Sequence, residues 1–210
     1  MKTTNSVFPT REAYLTEASN LILDDLLMPL AEKYGNGQEA PKFRISVGFP
    51  KHSRGGKAIA VCFVKEASSD GVNEIFINPE IDSPLEVLGS VVHELIHAID
   101  NCESGHQNFF AKMARAVGLE GPLTKTVPGL DLQLTLMGYI DLLGGFPHNR
   151  MVTDRVHKKD STRQIKVCCS DTQVCGFMFR TSRRQIEKLH DSTCPACYSH
   201  TLVVQDGSRD

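Results

Sequence analysis

Long apolar runs are missing from this 210-residue chain, and so is the charged-then-apolar opening of an export signal. No segment approaches the roughly 20 apolar residues that a membrane-crossing helix requires. The sequence therefore predicts an intracellular protein, cytoplasmic or nucleoid-associated, neither secreted nor held in a membrane. An excess of one charge is absent too: 23 Lys and Arg stand against 25 Asp and Glu. That balance excludes a bulk polycation that coats nucleic acid by charge alone. Aromatic residues are sparse, 7% of the chain with no tryptophan. No regularly spaced set of rings accompanies Arg180, Arg183, Arg184 and Lys188. If these four residues bind DNA, they grip its phosphate backbone rather than stack on bases; otherwise they form a solvated basic face.

What asymmetry exists runs along the chain. Residues 151–210 carry 10 Lys and Arg against 7 Asp and Glu, net +3, while residues 1–150 carry 13 against 18, net −5. The C-terminal part is the better contact for an anionic partner. The seven cysteines are as unevenly placed: Cys168, Cys169, Cys175, Cys194 and Cys197 cluster late, while Cys62 and Cys102 stand alone. In a chain without an export signal, such a cluster reads as metal ligation rather than disulfides. Cys62, standing by itself in a β-rich run, reads as a small core residue. The length suits one sizeable core, or one domain with a small module.

Everything else is arranged around His93-Glu94-Leu95-Ile96-His97. Ser83-Pro84-Leu85-Glu86 is a helix start: a hydroxyl cap, proline at the first position and glutamate three residues after the cap. Leu85, Leu88, Val92, Leu95, Ile96 and Ile99 then recur at helical spacing. On such a helix His93 and His97 lie one turn apart, roughly 6 Å along the axis, on the same side. Two neutral imidazoles so placed can chelate one Zn²⁺, and Glu94, offset around the helix, can reach a water on it without ligating.

A catalytic zinc site needs a third protein ligand and an open fourth position. Turn formers occupy 101–105, and among them Ser104 reads as the cap of a second helix. Its stripe is Phe109, Phe110, Met113 and Val117, and Gly118 is its stop. His106 then falls in that helix's first turn and is the predicted third ligand, with Asp100 and Glu103 as rivals. Glu94 is the predicted general base of peptide hydrolysis. A non-catalytic zinc-dependent DNA-binding or interaction module would have no use for that carboxylate.

Upstream, Thr10 caps a helical stretch reaching Tyr34, kinked or split by Pro29. Three β-rich runs follow: Phe43–Val47, Lys57–Lys65 and Glu74–Asn78. Glu74–Asn78 is the expected sheet edge for an extended substrate. A further helix covers 131–143 with Leu132, Leu136, Tyr139, Ile140 and Leu143 apolar, stopped by Gly144-Gly145. The predicted class is α+β, a small sheet packed on helices. Residues 1–148 make the main domain, 149–163 a polar linker, 164–205 a small β-rich metal module and 206–210 a polar tail.

HELIHAIDNCESGHQNFF resembles the HExxH…GHxxxF signature of the SprT-like zinc metallopeptidases, the group of bacterial SprT and eukaryotic Spartan. FRISVGFP and DGVNEIFINPEIDSPLEVLGSVVHE upstream, and GGFPH and CGFMFRTSRRQIEK downstream, extend the likeness over about residues 43 to 200. It implies a zincin-like peptidase domain followed by a zinc ribbon, acting on protein substrates attached to DNA. His148, in the GGFPH segment, reads as a loop histidine.

In the tail, Cys194-Pro195-Ala196-Cys197 is one knuckle of a ribbon. Its partner is Cys169-x5-Cys175, where the family has a tighter Cys-x2-Cys. Cys169 is favoured because Lys166-Val167-x-Cys169 matches the family's approach strand. Cys168 is the alternative, and His190 or His200 are possible substitutes. Four ligands with no open position make this second zinc structural.

Overall fold

The first helix begins where its sequence provides a cap. Thr10 Oγ1 accepts the Ala13 N–H at 3.1 Å and opens α1 (Arg11–Ile22). Pro29 does not break the stretch. One π-helical turn (Leu23–Leu27) leads into α2 (Met28–Tyr34), with the proline in its first turn, where a missing N–H is tolerated. The computed structural model describes residues 7–35, 37–49, 58–153, 164–189 and 192–205. They fall into two units, divided between Val152 and Thr153.

In the first unit, β1 (Phe43–Val47), β2 (Ala60–Phe63) and β3 (Asn73–Ile77) form a sheet of order β1-β3-β2. β1 runs parallel to β3, and β2 antiparallel to it. The Glu74–Asn78 run is thus the central strand and not the sheet edge. Its alternation records only that Asn73, Ile75 and Ile77 face inward; alternation carries no information on how many neighbours a strand has. The edges are β1 and β2, and β2 stops at Phe63 because Lys65–Ala67 turn as a 3₁₀ segment.

Helix α3 (Pro84–Ile99) packs against α1, the sheet and two later helices. Leu88, Val92, Leu95 and Ile96 are fully buried. Ser83 occupies the cap position but its side chain makes no capping bond, so burial rather than the cap holds the start. Next comes α4 (Asn108–Val117), ended by Gly118 at φ 93 in the left-handed region. Its cap position is Gln107, not Ser104, and His106 precedes the helix rather than lying in its first turn. The cause is local: the Asp100 carboxylate accepts the Ser104 N–H at 3.0 Å, and Asn101, Cys102 and Gly105 all adopt positive φ. Ser104 is thereby spent in a turn.

A short hairpin, β4 (Leu119–Glu120) with β5 (Val127–Pro128), leads to α5 (Leu130–Leu143). Leu132, Leu136 and Leu143 are buried there, with Tyr139 and Ile140 packed on the same core. Phe146 belongs to that core, while His148 is exposed with Nε2 3.3 Å from the Pro9 carbonyl. Arg150 N–H reaches Asp82 and Met151 N–H the Pro79 carbonyl, so the start of the predicted linker is attached to the first unit. The rest of it, 154–163, lies outside the described residues, as do His190 and the tail 206–210.

The second unit is an antiparallel sheet of β6 (Gln164–Cys169), β7 (Met178–Ser182) and β8 (Leu202–Gln205) in the order β7-β6-β8. A single turn, α6 (Arg183–Ile186), follows β7. The chain is thus of mixed α+β class with small sheets. Among the described residues no helix is long and apolar enough to cross a membrane.

Candidate metal centres

Helical pitch sets the first two donors: His93 and His97 stand one turn apart on α3, their ring centroids 5.1 Å apart. His106 arrives from the turn ahead of α4. Its Nε2 lies 3.3 Å from the Nε2 of His93 and 3.3 Å from the Nε2 of His97. Asp100 and Glu103 stay out of this group: Asp100 is engaged with Ser104, and Glu103 is exposed.

Two side chains that the sequence did not single out for the site hold these rings. Phe110, fully buried, stacks on His97 at 4.3 Å and meets His93 and His106 at 4.8 and 5.0 Å. It is the last residue of the GHxxxF segment, but in the sequence it was read only as part of the apolar stripe. Thr126 Oγ1 lies 2.8 Å from Nδ1 of His93. It sits beyond α4, in the hairpin, and no motif marks it. When Nδ1–H donates to that hydroxyl, the Nε2 lone pair is left facing the other rings. Burial pushes His93 down to about 4 and His97 down to about 3, and it lowers His106 as well. All three are neutral near pH 7, the protonation state a metal ligand needs.

Glu94 is buried on the same helix, and its carboxylate accepts the Cys62 N–H from β2. Burial, seconded by the nearby Cys102, pushes it up to about 8, and the Cys62 N–H pulls it back. Glu94 and the three histidines line a cleft of about 720 Å³, walled by β2 on one side and by Thr124, Lys125 and Thr126 on another.

In the second unit Cys169, Cys175, Cys194 and Cys197 converge. Their sulfurs all lie within 4.8 Å, with Cys169–Cys197 at 3.8 Å and Cys175–Cys194 at 3.7 Å. Successive strand residues point to opposite faces, so only one of Cys168 and Cys169 can join. Cys169 does; Cys168 turns its thiol toward the Val203 carbonyl. His200 is a neighbour of the group, with Nδ1 3.6 Å from the Cys197 sulfur. The Ser199 N–H, then His200, pull the Cys197 thiol down to about 6, while burial pushes Cys169 up to about 12. The longer Cys-x5-Cys spacing closes through Asp171, which binds the Val174 and Cys175 N–H groups, and through Gly176 at φ 62. Arg180, Arg183, Arg184 and Lys188 are all exposed on β7 and the turn after it.

Comparison with protein-family models, with curated proteins and with solved structures returns no match for this chain.

Proposed function

We propose that this protein is a zinc-dependent endopeptidase of the SprT-like kind, carrying a zinc-ribbon module. The observation that carries the reading is a trio of neutral imidazoles beside a buried glutamate in one open cleft. Donor spacing supports zinc in both groups. Around a tetrahedral ion with Zn–N of about 2.0–2.1 Å, neighbouring nitrogens are about 3.3–3.4 Å apart; with Zn–S of about 2.3 Å, sulfurs are about 3.8 Å apart. His106 Nε2 stands 3.3 Å from each of the other two nitrogens, and two of the sulfur pairs stand at 3.7 and 3.8 Å. His93, His97 and His106 would hold one ion, and Cys169, Cys175, Cys194 and Cys197 the other. Three protein donors leave a fourth position for chemistry, whereas four thiolates close the site and make it structural.

Zinc held by the imidazoles supplies Lewis acidity, able to polarise a carbonyl and to lower the pKa of water from 15.7 to about 7. Glu94 does the proton work: its carboxylate takes a proton from the attacking water and passes it to the leaving amine, a role worth roughly 10²–10⁴-fold. The protein substrate lies extended along β2, the sheet edge that walls the cleft. The Cys62 N–H points off that edge onto Glu94, and Ala60, two residues along, turns its backbone groups the same way for a peptide. In the second unit, the exposed Arg180, Arg183, Arg184 and Lys188 bind DNA phosphates and bring the enzyme to DNA-attached proteins.

Glu94→Gln tests the hydrolytic part. It keeps two zinc ions per chain and loses turnover by roughly 10²-fold or more. A Glu94→Gln protein that cleaves a denatured protein at the parental rate refutes the assignment. Replacing Arg180, Arg183 and Arg184 together by Ala weakens a DNA gel shift and flattens its salt dependence. An unchanged shift removes DNA from the reading.

A further inference from the structure

Cys62 and Cys102 are unused by the hydrolytic reading, yet both line its cleft beside Glu94. They come from different elements. Cys62 is in the edge strand β2; Cys102 is in the turn after α3, held at φ 61 with its N–H on the His97 carbonyl at 2.7 Å. The Cys102 sulfur lies 3.7 Å from the Cys62 carbonyl, and the Cys62 sulfur lies 3.7 Å from the Phe63 carbonyl beside it. Each is half-buried, so small solutes in the cleft can reach them.

We propose that Cys62 and Cys102 form a reversible disulfide site through which hydroperoxides control the cleft. One of the two, as its thiolate, attacks one oxygen of hydrogen peroxide, the O–O bond breaks, and hydroxide leaves, giving a sulfenic acid. The sulfur of the other then displaces the sulfenic hydroxyl as water. Overall, two thiols and one peroxide give one disulfide and two waters, with the two electrons passing from sulfur to oxygen. Bonded sulfurs sit about 2.05 Å apart, far closer than two unbonded sulfurs approach. The bridge draws β2 toward the turn that delivers His106 and displaces the Cys62 N–H from Glu94.

The consequence for turnover rests on the peptidase reading, whereas the thiol chemistry does not. The test treats the zinc-loaded full chain with equimolar hydrogen peroxide, then follows peptide mapping and cleavage of a denatured protein. The expected result is one linked pair, the Cys62 and Cys102 peptides, a mass lower by two hydrogens, and turnover reduced by at least about tenfold. Reduction with a phosphine restores activity, and Cys102→Ser retains activity under peroxide. Separate alkylation of Cys62 and Cys102 after treatment overturns the site. A linked pair with undiminished turnover overturns its control of the cleft. If the linked pair forms in a chain that never cleaved protein, the peptidase reading fails and the thiol site stands.

Discussion

Thr126 separates a residue that merely lies near the histidines from one that governs them. A neutral imidazole carries one N–H, and the partner of that N–H decides which nitrogen keeps a lone pair. With Nδ1 of His93 on the Thr126 hydroxyl at 2.8 Å, Nε2 is the free donor. Thr126→Val keeps the shape and removes the partner. Its zinc affinity at the histidine site falls by about 10–100-fold, read by competition with a chelator, and Thr126→Ser restores it. Equal affinity in Val and Ser variants assigns Thr126 to packing alone. Sequence could not reach this residue because a hydroxyl in a hairpin has no periodicity to betray it. His93 and His97 were legible because helical pitch alone brings them together. His106 was legible as a donor though its place in the chain was not, since the turn that presents it is set by Asp100 and by left-handed backbone. The preference for Cys169 over Cys168 rested on family resemblance in the sequence; in the fold it rests on the alternation of β6.

At the scale of elements, the site depends on how closely the hairpin approaches α3. Gly89 marks the contact: a Cβ there would stand 2.6 Å from Pro128 Cγ and 2.9 Å from its Cδ. A proline ring cannot swing aside as a long side chain can. Gly89→Ala therefore pushes away the hairpin that carries Thr126, with a destabilisation of about 1–3 kcal/mol seen as a lower melting temperature. Weaker zinc binding at the histidine site accompanies it. Parental melting and zinc affinity in the Gly89→Ala chain would show that the hairpin does not brace His93. The elements themselves were readable from period and caps: α1 from Thr10, α4 from its stripe and Gly118, α5 from its leucines. Strand neighbours were not. Ile75 and Ile77 announce a buried face, but the placement of β3 between β1 and β2 follows from long-range pairing that no local pattern contains.

The whole molecule sets two unlike solutions to folding side by side. The core cluster around Tyr14, Leu95, Ile96 and Phe110 lies wholly in the first unit and can sustain it. Among the described residues of the second unit, only Val167, Cys168, Cys169 and Cys194 are buried. One valine and three cysteines fall well short of the apolar burial that ordering some forty residues requires. On the zinc-ribbon reading proposed above, a thiolate-bound ion contributing on the order of 10 kcal/mol would make up that shortfall. The two units should then fail separately. Cys194→Ser lowers the zinc count from two per chain to one and abolishes amide-exchange protection in β6, β7 and β8. Protection in α3 and zinc at the histidines persist. A chelator that strips only the cysteine site gives the same selectivity. Loss of both ions from the single Cys194→Ser change means that the units do not fold independently. Full protection of β6–β8 without the ion means that the small sheet needs no metal.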